Sequence, residues 1–183
     1  MNILAQWFPN VVHRLPEFID SFVQTLIMVA VTGVLSFMLS TVFAVGLTLT
    51  QRDGLAQQAV VFNVLDKLIN LFRSIPFIIL AAALVPFTRA LVGTAIGTKG
   101  AIFPLVVGIT PFFTRQIQSA LAGVDPGLIE AAESMGMSTS KIVYRIYLRE
   151  SVPSIIRVSV IAIVSLIGLT AIVGIVGGGG LGD

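Results

Sequence analysis

The chain has 183 residues, of which 56% are hydrophobic and 11% charged, and a mean hydropathy of +1.00. A water-soluble domain covers its core with polar surface, and so apolar a chain has too little to do so, which points to the membrane. A formal net charge of +2 with no basic, aromatic-interleaved run argues against nucleic acid, and the lack of cysteine excludes disulfides, thiolate metal sites and cysteine nucleophiles.

The N-terminal stretch MNILAQWFPNVVHRLPEF has neither the basic start nor the small-residue cleavage site of a secretory signal, so the spans themselves are expected to drive insertion. A helix needs about 20 apolar residues to cross the hydrocarbon layer. Residues 21–50 carry no charge and end at Arg52-Asp53-Gly54, a polar stop and turn, and so predict a first span. The next segment begins amphipathic: Asn63, Asp66, Lys67, Asn70 and Ser74 share one helical face, and Val64, Leu65, Leu68, Ile69 and Phe72 take the other. Beyond Arg73 it turns apolar, and residues 60–87 read as one segment entering the membrane from a polar edge. Its stripe suits either a helix at the interface or the lining of a water-filled mouth.

A third span is expected near residues 100–123, with Pro104, Gly108 and Pro111 inside it, and a fourth near 154–176. Proline removes a backbone donor, so kinks are expected in the third. The closing GGGGLGD has no Lys-Ser or Lys-Thr after it and no strand before it, so it is not a phosphate loop; Gly177 to Gly180 read as a flexible turn outside the bilayer. The expected fold is therefore an all-α membrane protein, a bundle of transmembrane helices with four visible spans in one domain, 1–183.

Basic residues near span ends tend to stay in the cytoplasm. The 51–73 and 115–157 connections hold Arg52, Lys67, Arg73, Arg115, Lys141, Arg145, Arg149 and Arg157, whereas the N-terminal segment and the 88–99 connection hold only Arg14, Arg89 and Lys99. Charge alone thus puts the N-terminus outside and the 124–153 loop in the cytoplasm.

That loop is unusually charged, with six charged side chains between Glu130 and Glu150. VDPGLIEAAESMG reads as a short helix: Asp125 caps, Pro126 takes the first position and Gly136 stops it. Leu128, Ile129, Ala132 and Met135 form its apolar face. Ser138 or Thr139 then caps a second helix to about Ser151, with Lys141, Arg145 and Arg149 in one stripe beside an apolar face of Ile142, Val143, Ile146 and Tyr147. Periodicity leaves two readings open, a basic amphipathic helix on anionic lipid and a pair of helices that docks a protein.

Glu130-Ala131-Ala132, then Gly136 and the 142–153 stretch, resemble the EAA loop of the inner-membrane permease subunits of ATP-binding-cassette importers. From about residue 20 onward the chain is similar to the methionine importer permeases, through NLFRSIPFIIL (70–80), VPFTRALVGTAIG (85–97), VGITPFFTRQIQSAL (107–121) and GLIEAAESMGMS (127–138). Two features depart from the family. Its second loop helix commonly ends in Leu-Pro-Glu, where this chain has Leu148-Arg149-Glu150 and a proline at Pro153. The family usually continues past the glycine turn into a fifth span, so either a shortened version or a missing final helix is expected here.

The resemblance implies a permease homodimer whose loops sit in clefts of two cytoplasmic ATPase subunits in the bacterial inner membrane, fed by an extracytoplasmic substrate-binding protein. ATP is then bound and hydrolysed by the partner subunit, and the chain itself has no catalytic residue, cofactor or metal. By resemblance, Glu130 faces a basic group on the ATPase, Ala131 and Ala132 allow close approach, and Gly136 makes the turn; Lys141, Arg145 and Arg149 meet acidic surface or lipid. The substrate implied is methionine. Met28, Met38, Phe77 and Phe112 suit a thioether route, but such residues in membrane helices are ordinarily packing.

Three other functions remain in view. A permease for another amino acid differs only in substrate. An autonomous channel or secondary transporter needs acids at membrane depth, and the spans lack them, Asp66 lying at the polar edge. An intramembrane enzyme is hard to assemble around His13, the one histidine, which reads as a solvated surface residue.

Overall fold

The computed structural model describes residues 14–183; His13 and the stretch before it lie outside the described residues. The described chain is helical throughout: α1 (Leu15–Thr50), α2 (Ala59–Ser74), α3 (Phe77–Val92), α4 (Gly97–Leu121), α5 (Pro126–Ser134), α6 (139–150) and α7 (Val152–Val173). α6 joins Thr139–Ile142 to Leu148–Glu150 through a π-turn, Val143–Tyr147, and a second π-turn, Gly174–Gly178, extends α7. By length and apolarity α1, α4 and the extended α7 suffice to cross a membrane, and α2 with α3 add a fourth span if the broken pair counts as one. The predicted 60–87 segment is thus two helices. Pro76 disfavours helical backbone in the residue before it, and Ile75 is accordingly extended, at φ −86° and ψ 124°. The third span, by contrast, runs unbroken from Gly97 to Leu121 through both prolines.

The chain divides into two compact units. The first takes in residues up to Gly33, Phe77–Leu105 and Leu166–Asp183; the second holds Val34–Pro76 and Val106–Ser165. In the first, the glycine turn is not the free loop expected from sequence. The backbone N–H of Gly180 donates to Gln24 Oε1 at 3.0 Å, and that of Leu181 donates to Thr25 Oγ1 at 2.9 Å. Gly177, Gly179 and Gly180 all have positive φ, which lets the chain double back there at no steric cost.

In the second unit, α1 is built inversely to a soluble helix. Ser36, Ser40, Ala44 and Thr48, spaced by four, are at most 2% exposed, while Val34, Met38 and Val42 are 61–70% exposed. Small residues let helix backbones approach closely and apolar ones face lipid. Ser40 Oγ donates to the Thr110 carbonyl at 3.0 Å, and the Phe37 and Phe113 rings lie 5.7 Å apart. Of the four residues suggested for a thioether route, Met28 is fully buried, Met38 is exposed, and Phe77 and Phe112 are half-buried.

Candidate functional site

The 124–153 loop folds as an elbow of two short helices, for local reasons visible residue by residue. The Asp125 carboxylate accepts the Gly127 N–H at 2.9 Å, and Pro126 fills the first helical position, whose N–H would be unbonded in any case. At the far end Gly136 adopts φ +74°, and the Met137 N–H donates back to the Ala132 carbonyl at 3.0 Å. This is the left-handed helix stop that glycine makes without strain. Ser138 occupies the cap position of α6, but its hydroxyl accepts no capping bond from the backbone.

The elbow's apolar side packs into its own unit. Ala132 is fully buried with Phe113, Ile117, Leu121, Ile142 and Tyr147, and Ile129, Ile146 and Leu148 pack against that cluster. Val143 is half-buried as well. Ser151 Oγ anchors the base of the elbow by donating to the Ala120 carbonyl at 3.2 Å. Two members of the predicted α5 face, Leu128 and Met135, point outward instead, at 46% and 73% exposed. Met135 is the C-cap beyond the last helical residue, and within α5 only Ala132 is buried, with Ile129 half-buried.

Glu130 and Ala131 lie exposed on the outer side of α5, and Gly136 is exposed at the bend; Ala132 is apart from them, a core residue of this chain. Lys141, Arg145 and Arg149 are also exposed, but the π-turn across Val143–Tyr147 adds a residue to one helical turn and skews their stripe. Beside α5 opens a cavity of about 510 Å³, walled by the turn after α1 and by the elbow, with Asp53, Glu130, Glu133 and Tyr147 among its lining residues. Burial, and secondarily the Glu133 carboxylate, raise the Tyr147 phenol above its ordinary range and keep it protonated.

Sequence reasoning missed a second polar feature. Arg115, counted there as a loop charge, sits inside α4 and forms an ion pair with Asp66 of α2. Its guanidinium also donates to Gln118 Oε1 at 2.8 Å and Asn70 Oδ1 at 3.2 Å, and Asn70 Nδ2 donates to Asp66 Oδ2 at 3.1 Å. Asp66 of the predicted polar stripe of α2 thus meets protein, while Asn63, Lys67, Asn70 and Ser74 are exposed. The i, i+4 spacing of Asp66 and Asn70 was the available signal, but nothing local named their partner 45 to 49 residues away. Arg115→Met should lower stability by about 1 kcal/mol, because the half-buried Asp66 carboxylate loses its charged donor. Arg115→Lys should recover only part of that, since an ammonium lacks the planar fork. Thermal denaturation in detergent measures both.

The chain matches the family described as "Binding-protein-dependent transport system inner membrane component" over residues 44–183. It is 41% identical over 182 residues to the probable D-methionine transport system permease protein MetI of Vibrio cholerae, covering all of this chain and 80% of that one. It is 40% identical over 140 residues to the D-methionine transport system permease protein MetI of Escherichia coli, covering 76% of this chain and 64% of the relative's length. Among solved structures, one described as inward facing conformations of the MetNI methionine ABC transporter superposes with a TM-score of 0.88 at 36% identity, over the whole of this chain and 80% of that chain. An all-helical fold with apolar spans, a family match over most of its length and relatives at this identity lead to one assignment: the chain belongs to the family of binding-protein-dependent transport system inner membrane components.

Proposed function

We propose that the chain is the permease subunit of an ATP-driven importer and carries methionine across the bacterial inner membrane. The observation that supports this most is the agreement of its fold, over its full length, with the methionine transporter structure at 36% identity. In this reading residues 1–183 act as one permease domain and pair with a second copy. ATP is bound and hydrolysed by separate cytoplasmic ATPase subunits, and an extracytoplasmic binding protein delivers substrate. The excess of basic residues in the 51–73 and 115–157 stretches puts the N-terminus outside and the 124–153 elbow inside the cell.

The elbow suits the role of a coupling lever. Its buried Ala132, Ile142 and Tyr147 fix it to the ends of the spans, so a force applied to its outer side moves a packed body and not a loose loop. Glu130 faces a basic group of the ATPase, Ala131 leaves room for that partner, and the Gly136 bend sets the angle of the two helices. Lys141, Arg145 and Arg149 meet acidic surface or lipid headgroups.

Uptake of labelled methionine into vesicles that hold this chain with its ATPase and binding protein is the test. ATP-dependent uptake that unlabelled methionine suppresses, and other amino acids do not, is expected. Uptake suppressed equally by a different amino acid would move the assignment to that substrate, and uptake without ATP would overturn it.

A further inference from the structure

We propose that the second unit holds an amino-acid site, in which the Asp66–Arg115 pair takes the charged end of a zwitterion and an apolar cavity beside it takes the side chain. This rests on the reading of the chain as a methionine permease and supplies that reading with substrate contacts. The cavity, about 200 Å³, lies between α1, α2 and α4, with Leu39, Leu65, Phe72 and Pro111 among its walls. Thr110 and Thr114 line it too, but each hydroxyl donates to the carbonyl four residues back in α4, at 2.6 and 2.8 Å. No lining hydroxyl is thus left to donate to water. Apolar cavities of about 150 Å³ stay dry and admit a molecule as large as benzene, so an unbranched thioether side chain fits.

The charged pair stands at the edge of this cavity. Asp66 directly follows Leu65 in α2, and Arg115 directly follows Thr114 and lies one turn beyond Pro111 in α4. Their side chains are 30% and 21% exposed, so a small solute reaches them. The Arg115 guanidinium also donates to Gln118 Oε1 and Asn70 Oδ1. One patch therefore presents a planar fork of N–H donors, which suits a carboxylate, and a carboxylate with amide oxygens, which suits an ammonium.

An amino acid carries both of those groups on its α-carbon. When it enters between Asp66 and Arg115, each side chain gains a new opposite charge as it gives up the old one. Neither is left as an uncompensated charge, the state that makes a broken ion pair costly. A ligand with only one of the two charges satisfies one side chain and strands the other, and so binds more weakly. The cavity alongside then selects for an apolar, unbranched side chain.

Equilibrium binding of labelled methionine to the full permease chain in lipid nanodiscs, without binding protein or ATPase, is the test. Saturable binding is expected. Norleucine, with a side chain of the same shape, should compete nearly as well. Methionine methyl ester and 3-(methylthio)propionate, which each lack one charge, should compete at least roughly tenfold more weakly. Asp66→Asn together with Arg115→Gln should weaken methionine binding roughly tenfold and remove the difference between the three ligands. A merely structural ion pair would leave that ranking intact. Val107→Phe, which fills the cavity from α4 and keeps the ion pair, should weaken methionine and norleucine alike.

The ester or the acid binding as tightly as methionine, an unchanged ranking in the double variant, or normal binding by Val107→Phe would each overturn the site. So would the lack of saturable binding to wild type, the result expected if acyl chains of the nanodisc fill the cavity. Should the double variant not fold, the ligand ranking of the wild-type chain and Val107→Phe decide. ATP-dependent uptake by the complete transporter separates this site from the permease reading. Methionine uptake with the site overturned leaves that reading standing, and no uptake overturns the reading itself.

Discussion

Glu130→Lys should cut ATP-dependent methionine uptake at least roughly tenfold while leaving the amount and melting temperature of the membrane-inserted chain unchanged. The two halves of that expectation have separate causes. Glu130 is exposed and pairs with no base among the described residues, so the fold loses nothing that the structure shows when it is replaced. Docking loses twice. A lysine there removes one attraction for a basic partner group and adds a repulsion. Glu130→Gln, which removes the attraction alone, should fall between wild type and lysine. Uptake by Glu130→Lys at the normal rate, with ATPase and binding protein present, would remove Glu130 from the coupling role.

How far the sequence carried depends on the distance over which each feature is decided. The long apolar runs located α1, α4 and α7 because crossing hydrocarbon is a property of about 20 consecutive residues. The grammar of the elbow was equally legible. Capping by Asp125, Pro126 at the first position and the left-handed stop at Gly136 involve residues a few positions apart, and all three stand where expected. The break between α2 and α3 was also written locally, in Ile75-Pro76, but the apolar run through it weighed more in a reading based on hydropathy. The π-turn of α6 left no local mark, since Val143–Tyr147 keeps an ordinary helical pattern. Features that join distant stretches were out of reach. The Asp66–Arg115 pair spans 49 positions, and the cavity brings the 48–55 stretch against the 121–147 stretch. The acids of that cavity were each visible in sequence, but their convergence was not.

The glycine turn shows the same limit and carries the largest expected loss of stability. Gly180→Val should destabilise the detergent-solubilised chain by about 3 kcal/mol, read as a lowered melting midpoint. About 1–2 kcal/mol comes from forcing an L-side chain to φ +85°, and a β-branched residue resists that most. The remainder is steric. A Cβ at Gly180 would lie 2.7 Å from both Thr25 Oγ1 and Met28 Cε. The Thr25 contact is the harder to relieve, since Met28 Cε ends a flexible side chain. Met28 is fully buried, and Thr25 Oγ1 is held between the Ser21 carbonyl, to which it donates at 3.0 Å, and the Leu181 N–H, which it accepts. Moving the turn outward to relieve the contact would break both bonds that tie Gly180 and Leu181 to Gln24 and Thr25. Gly177→Ala separates the two contributions. That position has φ +87°, but its nearest neighbour, Ile96 Cγ2, is 4.0 Å away, so only the conformational cost of about 1–2 kcal/mol applies. If Gly180→Ala melts no lower than Gly177→Ala, the turn is not seated against α1, and the two hydrogen bonds do not hold it there in the membrane protein.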